Sequence, residues 1–413
     1  MKILLSAYSC LPGDGSEPGI GWNWAQCIAT IGHDVVVITR GVNRQPIEEF
    51  VAGHSLTRLQ FAFHDLSPML QRMRSWPLGN YAYYFLWQYT AARQAVKLHQ
   101  TERFDQVHHI TWGSFRVPSF MGRLGIPFIF GPVGGGEETP RNLRRGLGWR
   151  GWFSDGVRRI SSALMAPFME FTYASASEIV ATTEETRSKI PAKYRNKARL
   201  QQSVGIDQAG LLSLLSKLPQ NPVPRNSSKL ELLFVGRLLP WKGLHLILRA
   251  LALLNGSNSD VHLTVIGSGH DLSRLQRLSR RLKVDEMISW ISWMPREKLF
   301  GMYSQFDLFT FPSLHDSGGM AVLEALAFGL PVLCLDLGGP GIAVNNNCGR
   351  VIPTAGASEK QVVEAIAQFL SEMLADRSKL RRLSQSARSR AASLNWQANV
   401  DSIYSGSFAT QSN

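Results

Sequence analysis

The second half of the chain alternates short apolar runs with helical patterns, and this alternation constrains the fold more than any other feature. Residues 230–235 are continuously apolar apart from one glutamate and end at Gly236, as strands buried in a parallel sheet do. Residues 243–255 then repeat leucine and isoleucine at helical spacing. Further strands are predicted at 262–266, 288–292, 307–311 and 331–335, with helices between them. Repetition of this kind predicts an α/β fold with a doubly wound parallel sheet.

The first half repeats the pattern less regularly, with strands predicted at 3–7, 35–39, 106–111, 127–130 and 178–181. The whole chain has 413 residues, which suits two domains of about 200 residues each. Residues 217–229 are rich in proline, asparagine and serine, a linker composition. We therefore predict an N-terminal domain at 1–216, a linker at 217–229 and a C-terminal domain at 230–392.

The charge balance is basic, with 44 Lys+Arg against 31 Asp+Glu and a formal net charge of +13. Such an excess suits nucleic acid, an anionic membrane surface or anionic small substrates. The basic residues are not joined to a recognisable reading motif, so no nucleic-acid partner is predicted. The run at 141–159 interleaves arginines with aromatic residues, which favours contact with an anionic membrane surface over a solvated loop.

The apolar segments and cysteines indicate the compartment. No uninterrupted apolar stretch approaches the roughly 18–20 residues of a membrane span, and the first residues are predicted to form a strand instead of a signal peptide. The four cysteines form no CxxC pair, disulfide framework or zinc site. We predict a cytoplasmic protein without a metal site that lies on the inner membrane face as a peripheral protein.

Two basic side chains follow the first strand of the C-terminal half. Gly236 and Arg237 come directly after the apolar run, and Lys242 precedes the next helix. Ligands bind beyond the carboxyl ends of parallel strands, so both cations are expected to face that crevice. Two fixed cations there suit a diphosphate. The alternative interpretation is a pair of surface cations beside a loop.

A glycine-rich turn leads into another helix at the same edge. Asp316, Gly318 and Gly319 precede the helix predicted at 320–328. Glycines let a ligand approach the backbone, and free N–H groups at a helix start attract anions. Glu324 lies in an otherwise apolar part of this helix, where a carboxylate needs a partner. Sugar or ribose hydroxyls are one such partner, and a buried arginine or lysine is the other.

The motifs of the C-terminal half occur in one order: Phe234-Val235-Gly236-Arg237, Lys242-Gly243, Pro312-Ser313 and DSGGMAVLEALAFGLPV at 316–332. This combination resembles family 4 of the retaining glycosyltransferases, through almost the whole C-terminal domain. The resemblance implies two facing Rossmann-like domains (GT-B type), with the donor nucleotide held mainly by the second. It also implies a C-terminal helix, predicted within 393–413, that crosses back to the first domain.

The resemblance implies a role for each matching residue of the C-terminal domain. Arg237 and Lys242 would neutralise the donor diphosphate, with Gly236 beside them, and Glu324 would hold the ribose hydroxyls. The two glycines of the turn would offer N–H groups to the donor. Asp316 stands where the family usually has glutamate, facing the donor sugar, and its side chain is one methylene shorter.

The N-terminal half resembles the family more loosely. Gly15 and Ser16 match the family's glycine loop, which lies against the donor phosphate and the acceptor. His109 is the first choice for the strand-end histidine of the family, and His108 is the second. The glycine-rich loop at 131–138 is predicted to line the cleft, with one of its two glutamates acting on the acceptor.

The sequence thus favours transfer of a sugar from a nucleotide diphosphate sugar to a hydroxyl acceptor, such as a glycan or a lipid-linked intermediate. Two cations already face the diphosphate, so we predict a metal-independent enzyme of the hexosyltransferase class that needs no cofactor. Retention of configuration rests on the resemblance. Two alternatives remain: a sugar-nucleotide epimerase, and a non-catalytic donor-binding subunit of a polysaccharide assembly, which the Asp316 departure makes plausible.

Overall fold

The computed structural model describes residues 1–54, 56–76, 79–148, 164–207, 229–255 and 260–404, with Ser16 described by its backbone alone. The described residues divide into two compact units. The first unit lies within Met1–Gly136, Arg158–Val204 and Trp396–Asn413, and the second within Glu137–Val157 and Gly205–Asn395. Except for Lys229, the predicted linker falls outside the described residues.

The first unit contains a seven-stranded parallel sheet. Its strands are β1 (Lys2–Ala7), β2 (Asp34–Thr39), β3 (Leu59–Phe63), β4 (Gln106–Thr111), β5 (Phe128–Val133), β6 (Glu178–Ala181) and β7 (Ala198–Leu200). Their order is β3-β2-β1-β4-β5-β6-β7. The order reverses between β1 and β4, and ligands of open α/β sheets bind at the carboxyl edge of such a switch point.

Helices cover this sheet at Ser16–Thr30, Arg44–Ala52, Pro68–Gln71, Gly79–Glu102, Glu184–Lys189 and Trp396–Tyr404, and residues 164–175 are also helical. Short 3-10 turns lie at Gly41–Asn43, Arg72–Ser75, Met121–Leu124 and Ala192–Lys197. The long helix Gly79–Glu102 buries Tyr83, Tyr84 and Trp87 completely or nearly so. Its aromatic composition therefore serves the core of the first unit, because each such side chain removes a large apolar area from water.

The last described helix, Trp396–Tyr404, belongs to the first unit. Its Asn399 donates through Nδ2 to the carbonyl oxygen of Val204 at 2.8 Å. The Oδ1 atom of Asn399 accepts a hydrogen bond of 2.7 Å from Gln201. Both the nitrogen and the oxygen of the Asn399 side-chain amide are thus hydrogen-bonded, and these bonds hold the helix against the residues that follow β7.

His108 ties the same helix to the sheet from within β4. Its Nδ1 lies 2.8 Å from the hydroxyl of Tyr404, and its Nε2 bonds the carbonyl oxygen of Gly131. A carbonyl only accepts, so Nε2 carries the proton and Nδ1 accepts from the tyrosine. Burial lowers the pKa of His108 to about 4, so the ring is neutral. These contacts give His108 a structural role.

Tyr404→Phe is expected to destabilise the first unit, because it leaves the buried Nδ1 of His108 without a donor. An unmade bond of this kind costs about 1–3 kcal/mol. Thermal unfolding followed by circular dichroism should show a midpoint several degrees lower. Tyr81→Phe is the control, since that tyrosine is 59% exposed and its loss of a hydroxyl should leave the midpoint unchanged. Equal midpoints for the two variants would contradict the assignment.

The second unit contains a six-stranded parallel sheet. Its strands are β8 (Leu230–Val235), β9 (Val261–Ile266), β10 (Ile288–Ile291), β11 (Leu308–Phe311), β12 (Val332–Leu335) and β13 (Gly349–Ile352), in the order β10-β9-β8-β11-β12-β13. Its helices are Leu244–Asn255, Leu272–Arg281, Arg296–Tyr303, Met320–Ala327, Gly338–Ala343, Glu359–Ala375 and Arg377–Ser393. Short 3-10 turns lie at Arg141–Leu147, Pro240–Lys242 and Asp285–Met287. The predicted pair of doubly wound α/β domains is confirmed.

The chain enters the second unit earlier than the sequence predicts. The 3-10 turn Arg141–Leu147 places Leu143 and Leu147 in the hydrophobic core of the second unit. Arg274 also donates to the carbonyl oxygen of Gly146 at 2.9 Å. The predicted N-terminal domain of 1–216 therefore differs from the structure, which groups the described part of Glu137–Val157 with the second sheet. The boundaries differ because Leu143 and Leu147 are buried in the second unit, while no linker composition in the sequence marks the point where the chain enters it.

Only part of the basic and aromatic run at 141–159 is described. Arg141 and Arg145 are exposed, whereas Arg144 pairs with Glu138. The remaining members, Trp149, Arg150, Trp152, Phe153, Arg158 and Arg159, lie outside the described residues. Among the helices that the structure describes, none combines the length and apolar character needed to cross a bilayer.

Candidate functional site

Two loops meet at the carboxyl edge of the second sheet. β8 and β11 are parallel neighbours, so the loops that follow them leave the sheet at the same edge. Gly243, in the first loop, has a φ of 71°, and a Cβ there would collide with the carbonyl oxygen of Pro312 in the second. Glycine at this position therefore permits direct contact between the loops.

Lys242 and Asp316 form an ion pair between these loops, and their side chains are only 17% and 18% exposed. The other oxygen of Asp316, Oδ1, accepts from the amides of Gly318 and Gly319 at 3.2 and 3.1 Å. Burial opposes ionisation of the carboxyl, but the Lys242 ammonium and the two amides outweigh it and hold the pKa of Asp316 below its ordinary value. Asp316 is therefore anionic at neutral pH and fixes both the cation and the turn.

The turn at 316–319 opens the helix Met320–Ala327. Gly319 caps the helix with a φ of 69°, a conformation that glycine adopts without steric cost. The main chain also holds the turn, because the amide of Gly339 donates to the Asp316 carbonyl oxygen at 2.8 Å. A helix start beside a shielded ammonium is an arrangement that attracts phosphate groups.

Gly236 and Arg237 follow β8 at this same edge. The amide of Gly236 donates to the carbonyl oxygen of Ile266, at 3.0 Å, and so remains tied to β9. The side chain of Arg237 is exposed. The structure thus places a shielded cation, Lys242, and an exposed one, Arg237, in one loop.

Glu324 is paired with an arginine. Its Oε1 accepts a hydrogen bond of 2.7 Å from Arg296, on the helix Arg296–Tyr303. Burial raises the pKa of Glu324, and Arg296 offsets part of that increase. The structure therefore shows a salt bridge, although its arginine is partly exposed instead of buried. The ribose-binding role of Glu324 stays a prediction.

A second carboxylate, Glu137, contacts this turn, although the sequence pattern does not predict it. It is only 4% exposed, and its Oε2 accepts a hydrogen bond of 2.7 Å from Ser317. Ser317 lies between Asp316 and Gly318, so Glu137 anchors the turn from a segment 180 residues earlier. No local pattern signals this contact. The hydrogen bond to Ser317 does not test whether Glu137 or Glu138 acts on the acceptor, and that role stays a prediction.

In the first unit, the loops after β1 and β4 meet at the switch point. Gly15 is the N-cap of the helix Ser16–Thr30, and its amide donates to Asp14 at 2.7 Å. In the first turn of this helix, Glu17 accepts from the amide of Gly113 at 3.3 Å. The predicted glycine loop therefore lies at the edge where ligands of such sheets bind.

His109 lies within β4 and is completely buried. Its Nε2 is 3.4 Å from the hydroxyl of Tyr84, and its Nδ1 has no hydrogen-bond partner among the described residues. Burial lowers the pKa of His109 to about 3, so the ring is neutral, and it packs against Phe130 with ring centroids 5.4 Å apart. A functional role for His109 stays a prediction. The described residues contain no group of three His, Cys, Asp or Glu side chains that could hold a metal ion.

Two family models match the chain. The model described as "Glycosyl transferase 4-like domain" matches residues 19–202, and the one described as "Glycosyl transferases group 1" matches residues 219–390. Among curated relatives, the D-inositol 3-phosphate glycosyltransferase of Corynebacterium jeikeium is 31% identical over 179 residues, and that of Nocardia farcinica is 29% identical over 204. These matches cover 41% and 48% of this chain but only 41% and 42% of the relatives.

Solved structures share the fold over the whole chain. Sucrose-phosphate synthase from Thermosynechococcus elongatus has a TM-score of 0.63 at 17% identity, covering 99% of this chain and all of that one. Anabaena HepE in complex with UDP has a TM-score of 0.59 at 16% identity, with the same coverage. Since the two family models together span most of the sequence, the chain belongs to the glycosyltransferases that combine a 4-like domain with a group 1 domain, as its resemblance to family 4 predicts.

Proposed function

We propose that this chain is a retaining, metal-independent glycosyltransferase that moves a sugar from a nucleotide diphosphate sugar to a hydroxyl acceptor. The observation that carries the proposal is the Lys242–Asp316 pair beside the helix start at Gly319. An ammonium and a helix N-terminus are groups that bind a diphosphate. HepE structures with UDP and with UDP-glucose support a donor of this class.

The cations act on the leaving diphosphate. When the bond between the sugar and the diphosphate breaks, negative charge grows on the leaving phosphate. The Lys242 ammonium has three N–H donors, and Asp316 takes one of them, which leaves donors for the phosphate. Arg237, exposed in the same loop, adds a bidentate contact. Cations held in place before the bond breaks stabilise the charge without reorganisation.

The two carboxylates hold the rest of the donor. Glu324 keeps one oxygen on Arg296 and offers the other to the ribose hydroxyls. Asp316 faces the donor sugar with its position fixed by the Gly318 and Gly319 amides. These contacts hold the turn and the carboxylate as one group.

The proposed acceptor is a glycan or a lipid-linked intermediate at the cytoplasmic face of a membrane. The solved neighbour WaaG is described as a glycosyltransferase involved in lipopolysaccharide biosynthesis, and relatives are named for D-inositol 3-phosphate. The exposed Arg141 and Arg145 supply positive charge that favours anionic lipid. Vesicle flotation with and without anionic lipid tests the membrane contact, and equal flotation would count against it.

A donor panel tests the enzymatic proposal. A nucleotide that binds only the native state raises its stability by about 2.7 kcal/mol when present at 100 times its Kd. We expect one of UDP, ADP and GDP to raise the midpoint of thermal unfolding well above the other two. The matching nucleotide sugar should then label a membrane extract. A rearranged donor formed without acceptor would indicate an epimerase, and binding without any transfer would indicate a donor-binding subunit.

A further inference from the structure

Residues 137–147 precede every strand of the second sheet in the sequence, yet they pack on that unit. We call this segment the strap. Leu143 and Leu147 bury their side chains in the hydrophobic core of the second unit. Asn142 donates through Nδ2 to the carbonyl oxygen of Thr354, in the loop after β13, at 3.1 Å. The middle of the strap is therefore held by both apolar and polar contacts.

The end of the strap lies against two helices of the same unit. Arg274, which binds Asp271 through bonds of 2.6 and 2.8 Å, donates to the carbonyl oxygen of Gly146 at 2.9 Å. A Cβ at Gly146 would lie 2.3 Å from Nε2 of His245, which is buried. Glycine permits this close approach, and the imidazole blocks movement of the strap toward the helix Leu244–Asn255. The strap therefore has a fixed position on the second unit.

Glu137 is the first residue of the strap and contacts the candidate site. It is only 4% exposed, and its Oε2 accepts a hydrogen bond of 2.7 Å from the hydroxyl of Ser317. A buried carboxyl group costs free energy unless it is hydrogen-bonded, so this bond stabilises the position of Glu137 as well as that of Ser317. Ser317 is the second residue of the 316–319 turn. The bond therefore joins a fixed strap to the turn that opens the helix Met320–Ala327.

The bond to Glu137 adds a second point of attachment to the turn. Lys242 and the amide of Gly339 bind the turn from outside, and both bind its first residue, Asp316. A turn attached at one residue can pivot about it, and an attachment at the next residue, Ser317, removes that freedom. Orientation matters in a site that stabilises charge, because a displacement of about 1 Å can lower a rate about 100-fold.

We propose that Glu137 is a positioning residue of the donor site, which acts through Ser317 to hold the 316–319 turn in the orientation in which Asp316 and the helix start meet the donor. This deepens the proposed function and rests on it, because it assigns the support of the donor-phosphate site to the strap. The role requires no contact between Glu137 and the donor or the acceptor.

Amide hydrogen exchange of the full chain, followed by mass spectrometry without a ligand, measures how firmly the turn is held. Glu137→Met removes both acceptor oxygens and should speed exchange severalfold in peptides that cover 316–319. Glu137→Gln keeps an oxygen that accepts from Ser317 and should exchange as the wild type does. Glu364→Met is the control, because it removes an acid of the same unit that is 49% exposed, and it should leave exchange in the turn unchanged.

Calorimetry with UDP, ADP and GDP measures the consequence for the donor site. For whichever of the three binds the wild type most tightly, Glu137→Met should raise Kd about tenfold, an effect that the loss of one hydrogen bond can produce. Ser317→Ala should raise it to the same extent, and the double variant should lose no more than either single variant, because both changes remove the same bond. Glu137→Gln should restore wild-type affinity.

The outcomes separate this proposal from the proposed function. A wild type that binds none of the three nucleotides would contradict the proposed function. Wild-type affinity in Glu137→Met, or additive losses in the double variant, would overturn the positioning role alone. Weakened affinity with unchanged exchange in the turn would also overturn it, because Glu137 would then act on the nucleotide directly. If Glu137→Met does not fold, Ser317→Ala provides the same test, since it removes the same bond from its partly exposed partner.

Discussion

Lys242→Ala is expected to reduce kcat/KM for the donor by about 100- to 1,000-fold, the range found when one group that stabilises developing charge is removed. The lysine is the shielded cation of the loop after β8, and its charge is paired with Asp316. Without it, the Asp316 carboxylate stays beside the donor phosphate with only the two glycine amides to balance it. The pKa of Asp316 should also rise, because the main group that lowers it is gone. The loss of the cation weakens stabilisation of the leaving diphosphate, and the raised pKa of Asp316 only partly offsets this by reducing the carboxylate's charge.

Initial rates against donor concentration, together with the thermal shift produced by the diphosphate nucleotide, measure this effect. Lys360→Ala is the matched control, because it removes a lysine of the same unit that is 84% exposed and pairs with Glu364 on its own helix. Such an exposed pair contributes little to stability. A Lys242→Ala enzyme with the donor kinetics of the Lys360→Ala enzyme would remove the basis of the donor-phosphate assignment.

Gly243→Ala is expected to have the largest effect on stability. Its backbone lies in the left-handed region, with a φ of 71°, which costs a residue with a Cβ about 1–2 kcal/mol. The added Cβ also collides with the carbonyl oxygen of Pro312, and relieving such an overlap costs about 1–3 kcal/mol more. The total of about 3 kcal/mol should lower the midpoint of thermal unfolding by roughly 6–12 °C for a domain of this size.

Gly356→Ala isolates the backbone part of this effect. Gly356 has a similar φ of 72°, but a Cβ there meets nothing within 4 Å. We expect this variant to lose only about 1 kcal/mol, and to keep its donor kinetics. Gly243→Ala should additionally weaken donor binding, because moving the two loops apart separates Lys242 from Asp316. Indistinguishable melting curves for the two variants would show that the loops do not need this close contact.

The sequence predicts those parts of the fold that depend on continuous apolar runs. β11 and β12 are buried throughout, and β8 is buried at four of its six residues, so their apolar runs can be recognised from the sequence alone. β3, β7 and β13 were not predicted. β7 has three residues with none fully buried, and β13 is only half buried. These three strands lie at sheet edges, where less surface is buried and the apolar pattern is weaker, although the edge strand β10 was predicted.

The residues of the candidate site likewise differ in whether the sequence pattern predicts their contacts. Lys242 and Asp316 were predicted to face one crevice because each follows a strand of the same parallel sheet, and the structure joins them. The position of Glu137 has no comparable signal in the sequence, since its contact with Ser317 links residues 180 positions apart. The Arg296 partner of Glu324 likewise lies on a different helix. Long-range side-chain pairs leave no periodic signal in the sequence.

The helix Trp396–Tyr404 has a consequence for the order in which the chain acquires its structure. All strands of the β1–β7 sheet precede residue 205 in the sequence. The hydrogen bonds to His108 and Val204, however, come from the side chains of Tyr404 and Asn399, respectively. During synthesis, the ribosome therefore produces the entire β8–β13 sheet before it produces the segment that closes the earlier one. Domains generally fold in order from the N-terminus, but here the N-terminal domain is completed last. In a nascent chain halted before residue 396, Nδ1 of His108 in β4 lacks the hydrogen bond from Tyr404.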